Sequence, residues 1–229
     1  MKYLIRAAKI PPPLHANWNE PEWSHAETLE IKNFRSESSD HRPRTSARLL
    51  YDDRALHGIF HVKDRYVRCT RTNIGDQVCK DSCVEFFVQP KPDRGYFNFE
   101  FNCGGAFLCY YITDPTRTAD GFKKFEKISA AVAREVKVRS TLPPRIEPEI
   151  TKPIEWSLQF SIPLALLEKF VGSLGIVSGQ TWRGNFYKCA DECSHQHWAS
   201  WSPVDEFNFH LPRCFGTLKF GIAPTPSAR

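Results

Sequence analysis

The sequence of 229 residues predicts an all-β fold, an antiparallel β-sandwich of the jelly-roll type. Many short segments alternate apolar and polar residues, as strands do when one face of a sheet is buried. Turn-rich segments separate these strands at short intervals, which is typical of antiparallel sandwiches. A convincing helical pattern occurs only at residues 163–170, where Pro163 occupies the first turn.

The clearest alternation lies in residues 83–102, where two predicted strands flank a turn rich in proline and glycine. The register that buries the apolar residues of both strands places Phe86 opposite Phe99 and also places Glu85 opposite Glu100. The other face of this hairpin then carries carboxylates, amides and a tyrosine together, which suits a polyhydroxylated ligand. An ordinary solvated face of an antiparallel sheet shows the same pattern, so periodicity alone leaves both interpretations open.

The segments before this hairpin predict a lead-in and several edge and core strands. Residues 1–22 are rich in proline and predict an extended lead-in. Residues 23–31 predict a short turn or strand over one edge of the core. Residues 47–51 and 56–62 predict two strands joined by a turn, and the second alternates as a half-buried strand does. Residues 64–76 are polar and predict a loop.

Four strands are predicted after the hairpin, at residues 107–112, 155–162, 182–189 and 215–220. Residues 131–142 alternate in patches and predict one or two further strands. The segments 113–121 and 142–153 predict loops, the second of them stiffened by proline. Because no linker divides the chain and no repeat occurs, we expect one domain over residues 23–222 and a C-terminal tail over residues 223–229.

Composition and charge argue against several functional classes. The formal net charge is +5, with Lys and Arg scattered among acidic residues, so the sequence predicts no nucleic-acid partner. Arg6 and Lys9 interrupt the apolar residues at the N-terminus, unlike a signal peptide, and no apolar run approaches the ~20 residues of a membrane span. Eight cysteines without an export signal predict reduced thiols and a cytoplasmic location. The patterns specify no oligomeric state.

The ordered set of segments from about Trp23 to Phe220 resembles the family 9 carbohydrate-binding modules and their DOMON-like relatives. The segments that carry the resemblance are Y-D-D-R-A-L-H-G-I-F-H-V-K-D, D-S-C-V-E-F-F-V, Y-F-N-F-E-F-N, E-W-S-L-Q-F-S-I-P, G-N-F-Y-K-C-A-D, S-W-S-P and F-H-L-P-R-C-F-G-T-L-K-F. The segment N-F-Y-K-C-A-D-E-C-S-H-Q-H-W-A-S-W-S-P is similar to that of stand-alone bacterial members. The resemblance implies a β-sandwich that binds a mono- or oligosaccharide without catalysis, with a role in carbohydrate catabolism.

The resemblance also implies roles for individual residues. Glu85 matches the carboxylate that binds sugar hydroxyls, Asn98 lies near the family's amide position, and Phe209 matches one of two aromatic residues that enclose the sugar. The second aromatic position falls at about Cys79, and Glu100 stands on the strand where the family has an arginine. The predicted ligand-binding set contains no catalytic residue and consists of Glu85, Asn98, Glu100, Phe209, Trp201, Tyr96, Asn185, Lys188 and His210.

Two other functions fit the same residues. One is a domain that keeps the scaffold but binds a different ligand or a protein partner. The other is a glycoside hydrolase that uses Glu85 and Glu100 as its catalytic pair. Residues directly opposite on antiparallel strands lie about 5 Å apart at Cβ, and retaining glycosidases place their carboxyl groups about 5–5.5 Å apart. Nothing in the sequence predicts a raised pKa for either glutamate.

The sequence predicts no cofactor and no metal site, and it leaves zinc and calcium as alternatives. Two thiols and two imidazoles within nine residues form a zinc candidate, although buried cysteines that only pack are common. The zinc candidate set is Cys189, Cys193, His195 and His197. Calcium is implied by the family resemblance, and its candidate ligands in loops are Asp52, Asp53, Asp64 and Asp81. Haem ligation through methionine and histidine, as in DOMON relatives, is excluded because Met1 is the only methionine.

Overall fold

Strands account for most of the regular structure in the computed structural model, which describes residues 1–119 and 121–223. The strands up to residue 102 are β1 (Lys2–Ala7), β2 (Leu29–Ile31), β3 (Asn33–Phe34), β4 (Arg44–Tyr51), β5 (Ala55–Asp64), β6 (Val67–Cys69), β7 (Cys83–Gln89) and β8 (Tyr96–Asn102). The later strands are β9 (Phe107–Thr118), β10 (Gly121–Lys127), β11 (Lys137–Ser140), β12 (Ile146–Ile150), β13 (Ile154–Pro163), β14 (Thr181–Cys189), β15 (Trp198–Ser200) and β16 (Gly216–Phe220). The α-helices are α1 (Ala130–Ala133) and α2 (Leu164–Val171), and short 3₁₀ segments cover Pro21–His25, Val78–Lys80 and Pro212–Cys214.

The strands form two layers that face each other across one core, which confirms the predicted all-β sandwich. The first layer has the strand order β10-β9-β8-β7-β14-β16-β1, and the second has the order β1-β4-β5-β13-β11. Strand β1 belongs to both layers, because residues 2–5 pair in parallel with β16 and residues 6–7 pair in parallel with β4. The predicted lead-in, residues 1–22, thus contains the strand that joins the layers.

The central hairpin has the register that the sequence predicts. Strands β7 and β8 pair with Phe86 opposite Phe99 and with Glu85 opposite Glu100. Both phenylalanines are fully buried, and Phe86 stacks on Phe160 of the second layer at 5.8 Å between ring centroids. Because side chains alternate along a strand, both glutamates point to the outer face of the first layer.

The second layer meets the hairpin through β5 and β13. Trp156, Leu158 and Phe160 of β13 are buried, as their alternation predicts. Gly58 of β5 lies against the Phe160 ring, where an added Cβ would lie 2.0 Å from Cζ. A side chain at this position would therefore push the two strands apart. Burial of each large apolar side chain contributes about 1.5–3 kcal/mol to folding, so these buried rings stabilise the packing of the two layers.

The segment 113–121, which the sequence predicts to be a loop, is instead most of a second hairpin. Strand β9 continues to Thr118 and pairs with β10 from Gly121 onward. Most side chains of β9 beyond residue 112 are exposed, so neither face of the strand needs apolar residues. The sequence therefore lacks the apolar–polar alternation by which a half-buried strand is predicted. Gly121 starts β10 with a φ of +124°, which residues with a side chain rarely adopt. This hairpin reaches over the outer face of the first layer.

Three other segments differ from the predictions over a few residues. Residues 131–142, predicted as strands, begin in α1 and continue into β11. Helix α1 forms because Ser129 caps it, with its Oγ accepting from the Val132 N–H at 3.4 Å. The predicted loops 64–76 and 142–153 contribute β6 and β12, which pair with each other in a separate small sheet. Elements this short leave little periodic pattern in a sequence.

Helix α2 and the thiols agree with the predictions. Helix α2 follows Pro163 and ends at Gly172, whose φ is +73°. All eight cysteines are free thiols. Within residues 1–119 and 121–223, no helix combines the length and the apolar character that crossing a membrane requires. The predicted tail, residues 223–229, lies outside the described residues after Ala223.

Candidate functional site

A cleft of about 620 Å³ opens on the outer face of the first layer, above β7, β8, β9 and β14. Its floor consists of side chains that alternate with the core-facing ones, namely Glu85, Asn98, Glu100, Leu108, Tyr110 and Cys189. Its walls come from the 3₁₀ segment Val78–Lys80, the segments around residues 191–198 and 206–210, and the β9–β10 hairpin. A cleft of this size is typical of sites for small molecules.

Two buried carboxyl groups lie beside each other on the cleft floor. Glu85 is 3% exposed and Glu100 is 6% exposed. Asn98 Nδ2 donates to Glu100 Oε1 at 2.8 Å, and Asn98 Oδ1 accepts from the Tyr110 backbone N–H at 2.6 Å, which fixes the orientation of the amide. The Cys189 thiol donates to Glu85 Oε1 at 3.1 Å. Among the described residues, Glu85 Oε2 has no hydrogen-bond partner.

Burial changes the protonation of this pair. It raises the pKa of Glu85 well above its usual range, and the neighbouring Glu100 raises that pKa further. Burial also raises the pKa of Glu100 to about 7, although the hydrogen bond from Asn98 opposes the change. Burial therefore favours the protonated form of Glu85, and with a pKa of about 7 Glu100 is partly ionised at neutral pH. Such a pair both donates and accepts hydrogen bonds, which suits groups that do the same, such as hydroxyls.

Aromatic rings border the polar floor, and those with accessible surface are Tyr110, Trp198, Phe207 and Phe209. Phe209 stacks on Tyr187, with ring centroids 4.1 Å apart and planes inclined by 14°, so one face of Phe209 is fixed. Phe207 is 53% exposed and meets Trp198 edge-on at 4.7 Å. Trp198 donates its Nε1–H to Asp191 Oδ1 at 2.8 Å. The cleft thus presents held apolar faces beside hydrogen-bonding groups.

Arg117 lies on the cleft wall and is not among the residues predicted from the sequence. It belongs to the part of β9 that is predicted as a loop, where no periodic pattern marks it. Its guanidinium lies over the Phe122 ring at 4.3 Å from the centroid. Its charge opposes the rise in the pKa of Glu100. The β9–β10 hairpin therefore adds a positive charge to a cleft whose floor is acidic.

Three predicted ligand-binding residues support the cleft without lining it. Trp201 is 3% exposed and packs in the core between the layers. Asn185 is fully buried, and its amide exchanges two hydrogen bonds of 2.9 Å with the backbone of Ser202, which fixes the segment after β15. Tyr96 is buried and its hydroxyl lies 2.9 Å from His210 Nδ1. Of these residues, only His210, also predicted from the sequence, lines the cleft.

Lys188, predicted as a rim residue, is fully buried on the core face of β14. Its Nζ lies 2.8 Å from His197 Nε2 and 3.6 Å from Asp64 Oδ2. Although burial opposes ionisation, the Lys188 ammonium and the His41 side chain hold the pKa of Asp64 well below its usual range. Burial, reinforced by Lys188, lowers the pKa of His197 to about 3, so this imidazole is neutral. Lys188 therefore belongs to a buried ionic cluster and not to the cleft.

The predicted zinc ligands do not converge on one point. Cys193 contacts Ser82 Oγ at 3.6 Å, His195 stacks on the Tyr66 ring at 3.6 Å, and His197 contacts the buried lysine. The fourth predicted ligand, Cys189, lies on the cleft floor. It is on the opposite face of the sheet from Lys188. Among the described residues, one group of side chains that can bind a metal ion does converge. It consists of Cys83, Glu85 and Cys189, whose ligand atoms lie within 4.8 Å of one another.

The candidate calcium ligands do not form a shared site either. The oxygens of the buried Asp81 accept hydrogen bonds from a neighbouring threonine, an arginine and an asparagine. Asp52 accepts two backbone N–H groups within its own turn. Asp64 belongs to the buried ionic cluster, and Asp53 is exposed. Among the described residues, no three of these aspartates lie close enough together to hold one ion.

Comparison with known proteins identifies similar sequences and folds. The sequence matches the model of carbohydrate-binding family 9 over residues 22–220. The fold is similar to that of a protein from Bacteroides uniformis that is proposed to bind carbohydrate. That structure has a TM-score of 0.82 and 29% sequence identity, and the match covers 96% of this chain and 98% of the other. No curated protein matches the chain.

Two structures from Caldicellulosiruptor kristjanssonii are similar in fold at lower identity. One is a family 9 carbohydrate-binding module in complex with cellotriose, with a TM-score of 0.67 and 13% identity, covering 100% of this chain and 98% of that one. The other is a family 9 module in complex with glucose, with a TM-score of 0.61 and 14% identity, covering 98% of this chain and 100% of that one. At these identities the likeness shows a shared fold.

Proposed function

The chain belongs to carbohydrate-binding family 9, and we propose that it binds a mono- or oligosaccharide in the cleft on the outer face of its first layer. One observation carries this proposal: buried carboxyl and amide groups lie beside accessible aromatic faces in a single cleft. A pyranose presents hydroxyls and C–H faces together, so it needs both kinds of surface at once. The proposed role is non-covalent recognition in the service of carbohydrate catabolism.

Glu85, Asn98 and Glu100 form the hydroxyl-binding part of the proposed site. Glu85 Oε2 is buried without a partner among the described residues. Leaving a buried polar atom unpaired costs about 1–3 kcal/mol, and a sugar hydroxyl in the cleft would supply the missing bond. The proton on Glu85 and the partial charge on Glu100 let the pair act as donor and acceptor towards the same sugar.

Phe209 is the main stacking face of the proposed site. Because it already stacks on Tyr187, binding a sugar against its free side requires little further ordering of the ring. The position that corresponds to the family's second aromatic holds Cys79, which lines the cleft. Tyr110 and Phe207 line the same cleft, and they take the second stacking role in this proposal.

Glycoside hydrolysis by the same carboxyl pair receives less support. A retaining glycosidase needs one ionised carboxylate as nucleophile and one protonated acid. The raised pKa of Glu85 and the pKa of about 7 of Glu100 are compatible with such a pair, but the family whose model matches the chain is one of carbohydrate-binding proteins, which supports binding without hydrolysis. Release of nitrophenol from aryl glycosides by the wild type, and its loss in Glu100→Gln, would establish hydrolysis in place of simple binding.

A glycan array followed by calorimetry tests the proposed function. Glucose and cellotriose are the first soluble ligands to titrate, since the similar family 9 modules hold them. Above the pKa of Glu100, Glu100→Gln should weaken binding by about 1.5–3 kcal/mol through loss of a charge-assisted hydrogen bond. Phe209→Ala should weaken it by about 1 kcal/mol or more.

The matched control is Glu126→Gln, which makes the same change at an exposed position on β10 outside the cleft. It should bind the glycan as the wild type does. If the wild type binds no glycan on the array, that result would contradict sugar binding. Normal binding by both Glu100→Gln and Phe209→Ala would contradict the placement of the sugar in this cleft.

A further inference from the structure

Three potential metal ligands lie close together at the base of the cleft: Glu85 and Cys189 line its floor, and Cys83 is fully buried beside them. Cys83 and Cys189 stand directly opposite each other on β7 and β14, and Glu85 follows two residues along β7 on the same face. Their ligand atoms lie within 4.8 Å of one another, with Cys189 Sγ 3.1 Å from Glu85 Oε1. A tetrahedral Zn²⁺ with bonds of about 2.0–2.3 Å separates its ligand atoms by ~3.5–3.8 Å. Small side-chain rotations would therefore bring all three onto one ion.

Glu85 provides an independent sign of a ligand at this point. Its side chain is 3% exposed, it lines the cleft, and its Oε2 lacks a hydrogen-bond partner among the described residues. Packing alone explains buried thiols. Packing does not explain a buried acid that contacts a thiol through one oxygen and leaves the other oxygen unpaired.

The surroundings of the three side chains favour a cation. Glu100 and Asp191 line the same cleft, and the charge of each makes ionisation of Glu85 less favourable. A bound cation would relieve this repulsion. Lys188 acts in the opposite direction, but it lies on the other face of the sheet.

We propose that Cys83, Glu85 and Cys189 bind a thiophilic divalent cation, with Zn²⁺ as the first ion to test, through two thiolates and one carboxylate. The ion replaces the two thiol protons and the carboxyl proton, so up to about three protons pass to the solvent for each ion bound. The fourth coordination position faces the cleft, where water or a ligand oxygen completes the tetrahedron. This set shares only Cys189 with the zinc candidate that the sequence predicts.

The metal site goes beyond the proposed sugar binding, and each can fail without the other. Metal binding is measured in the absence of sugar, and sugar binding is measured in the presence of a chelator. The metal test uses the full chain, reduced, freed of metal and titrated with Co²⁺. Two thiolate ligands should give an intense thiolate-to-cobalt charge-transfer absorption in the near ultraviolet, which saturates at one equivalent and disappears when Zn²⁺ is added.

Three variants locate the site. Cys189→Ser should remove most of the charge-transfer absorption. Glu85→Gln keeps both thiols and the side-chain shape, and it should weaken Co²⁺ binding by about tenfold or more. Cys103→Ser is the matched control, because it removes a buried thiol outside the proposed ligand set, whose Sγ donates to the Arg68 backbone carbonyl at 3.7 Å. The control should leave the Co²⁺ titration unchanged.

Two results would overturn the proposal. One is a wild-type protein that shows no charge-transfer absorption at saturating Co²⁺. The other is an absorption that survives Cys189→Ser but is lost in Cys103→Ser. Circular dichroism checks that each variant folds. If Cys189→Ser does not fold, Glu85→Gln decides, since unchanged Co²⁺ affinity in that variant would also overturn the proposal.

Discussion

Replacement of Glu100 by glutamine tests the physical state of the cleft floor. Glu100 is 6% exposed, and burial raises its pKa from 4.5 to about 7. The unfolded chain keeps the ordinary value, so between these two values the folded protein binds more protons than the unfolded chain. The contribution of Glu100 to stability is therefore fully present below pH 4.5 and is lost as the pH rises through about 7.

The two pKa values set the magnitude of the effect. Each pH unit between them corresponds to about 1.4 kcal/mol, so ionising Glu100 costs the folded state about 3 kcal/mol above the upper value. Glutamine has nearly the same shape and cannot ionise, and its Oε1 can still accept the hydrogen bond from Asn98 Nδ2. Its advantage over the wild type should therefore grow by about 2.5 kcal/mol between about pH 5 and pH 8. The sequence alone, which places Glu100 on a polar face, predicts a change of no more than about 0.5 kcal/mol.

Urea denaturation at several pH values measures this advantage. Wild type, Glu100→Gln and the exposed control Glu126→Gln are compared under identical conditions. The free energy of unfolding of Glu100→Gln should rise relative to the wild type as the pH increases, while the control stays within about 0.5 kcal/mol of the wild type at each pH. A difference that stays constant between about pH 5 and pH 8 would refute the reasoning, because it would mean that Glu100 ionises at its ordinary pKa.

Other outcomes test the core, the buried ionic cluster and the thiols. Phe99→Ala should lower the free energy of unfolding by about 3–5 kcal/mol in urea melts, because the ring is fully buried between the layers; a loss below about 1 kcal/mol would contradict the register. Lys188→Met should lower it by about 3–5 kcal/mol, since Asp64 would remain as a buried, ionised carboxylate without this partner. The double variant Lys188→Met with Asp64→Asn should recover much of that loss. If the two substitutions instead change the free energy of unfolding additively, the ion pair would be contradicted. Thiol titration of the protein unfolded under anaerobic conditions should find all eight thiols free; four stable disulfides would contradict this.

The register of the central hairpin could be predicted because three core-facing phenylalanines alternate without a break in β8. A slip of one residue would move Phe97, Phe99 and Phe101 to the outer face. The same reasoning placed Glu85 and Glu100 together on the cleft floor. The strong preference of large apolar side chains for the core thus determined both the fold and the centre of the candidate site.

Lys188 shows why part of the site prediction failed. Strand periodicity puts it on the same face as Gly184 and Phe186, towards the core. Lysine is almost never fully buried unless it is paired, so placing it at the rim was the natural expectation. Its partners, Asp64 and His197, come from the end of β5 and from the segment before β15. Only the three-dimensional structure brings these side chains together.

The walls of the cleft were the least predictable part. Arg117 comes from a hairpin whose exposed strands lack apolar alternation, and Phe207 comes from a segment without regular secondary structure. Periodicity identifies residues that face a core, and neither of these residues does. Their positions depend on how the β9–β10 hairpin and the segment 206–210 lie over the first layer.

A crystal structure of the protein with the glycan that binds best is the most direct test of sugar binding in the cleft. We expect a pyranose ring stacked on Phe209, with one hydroxyl within hydrogen-bond distance of Glu85 Oε2, the buried oxygen that has no partner among the described residues. A glycan bound elsewhere on the surface, with the cleft free of sugar at a saturating concentration, would contradict the proposed function.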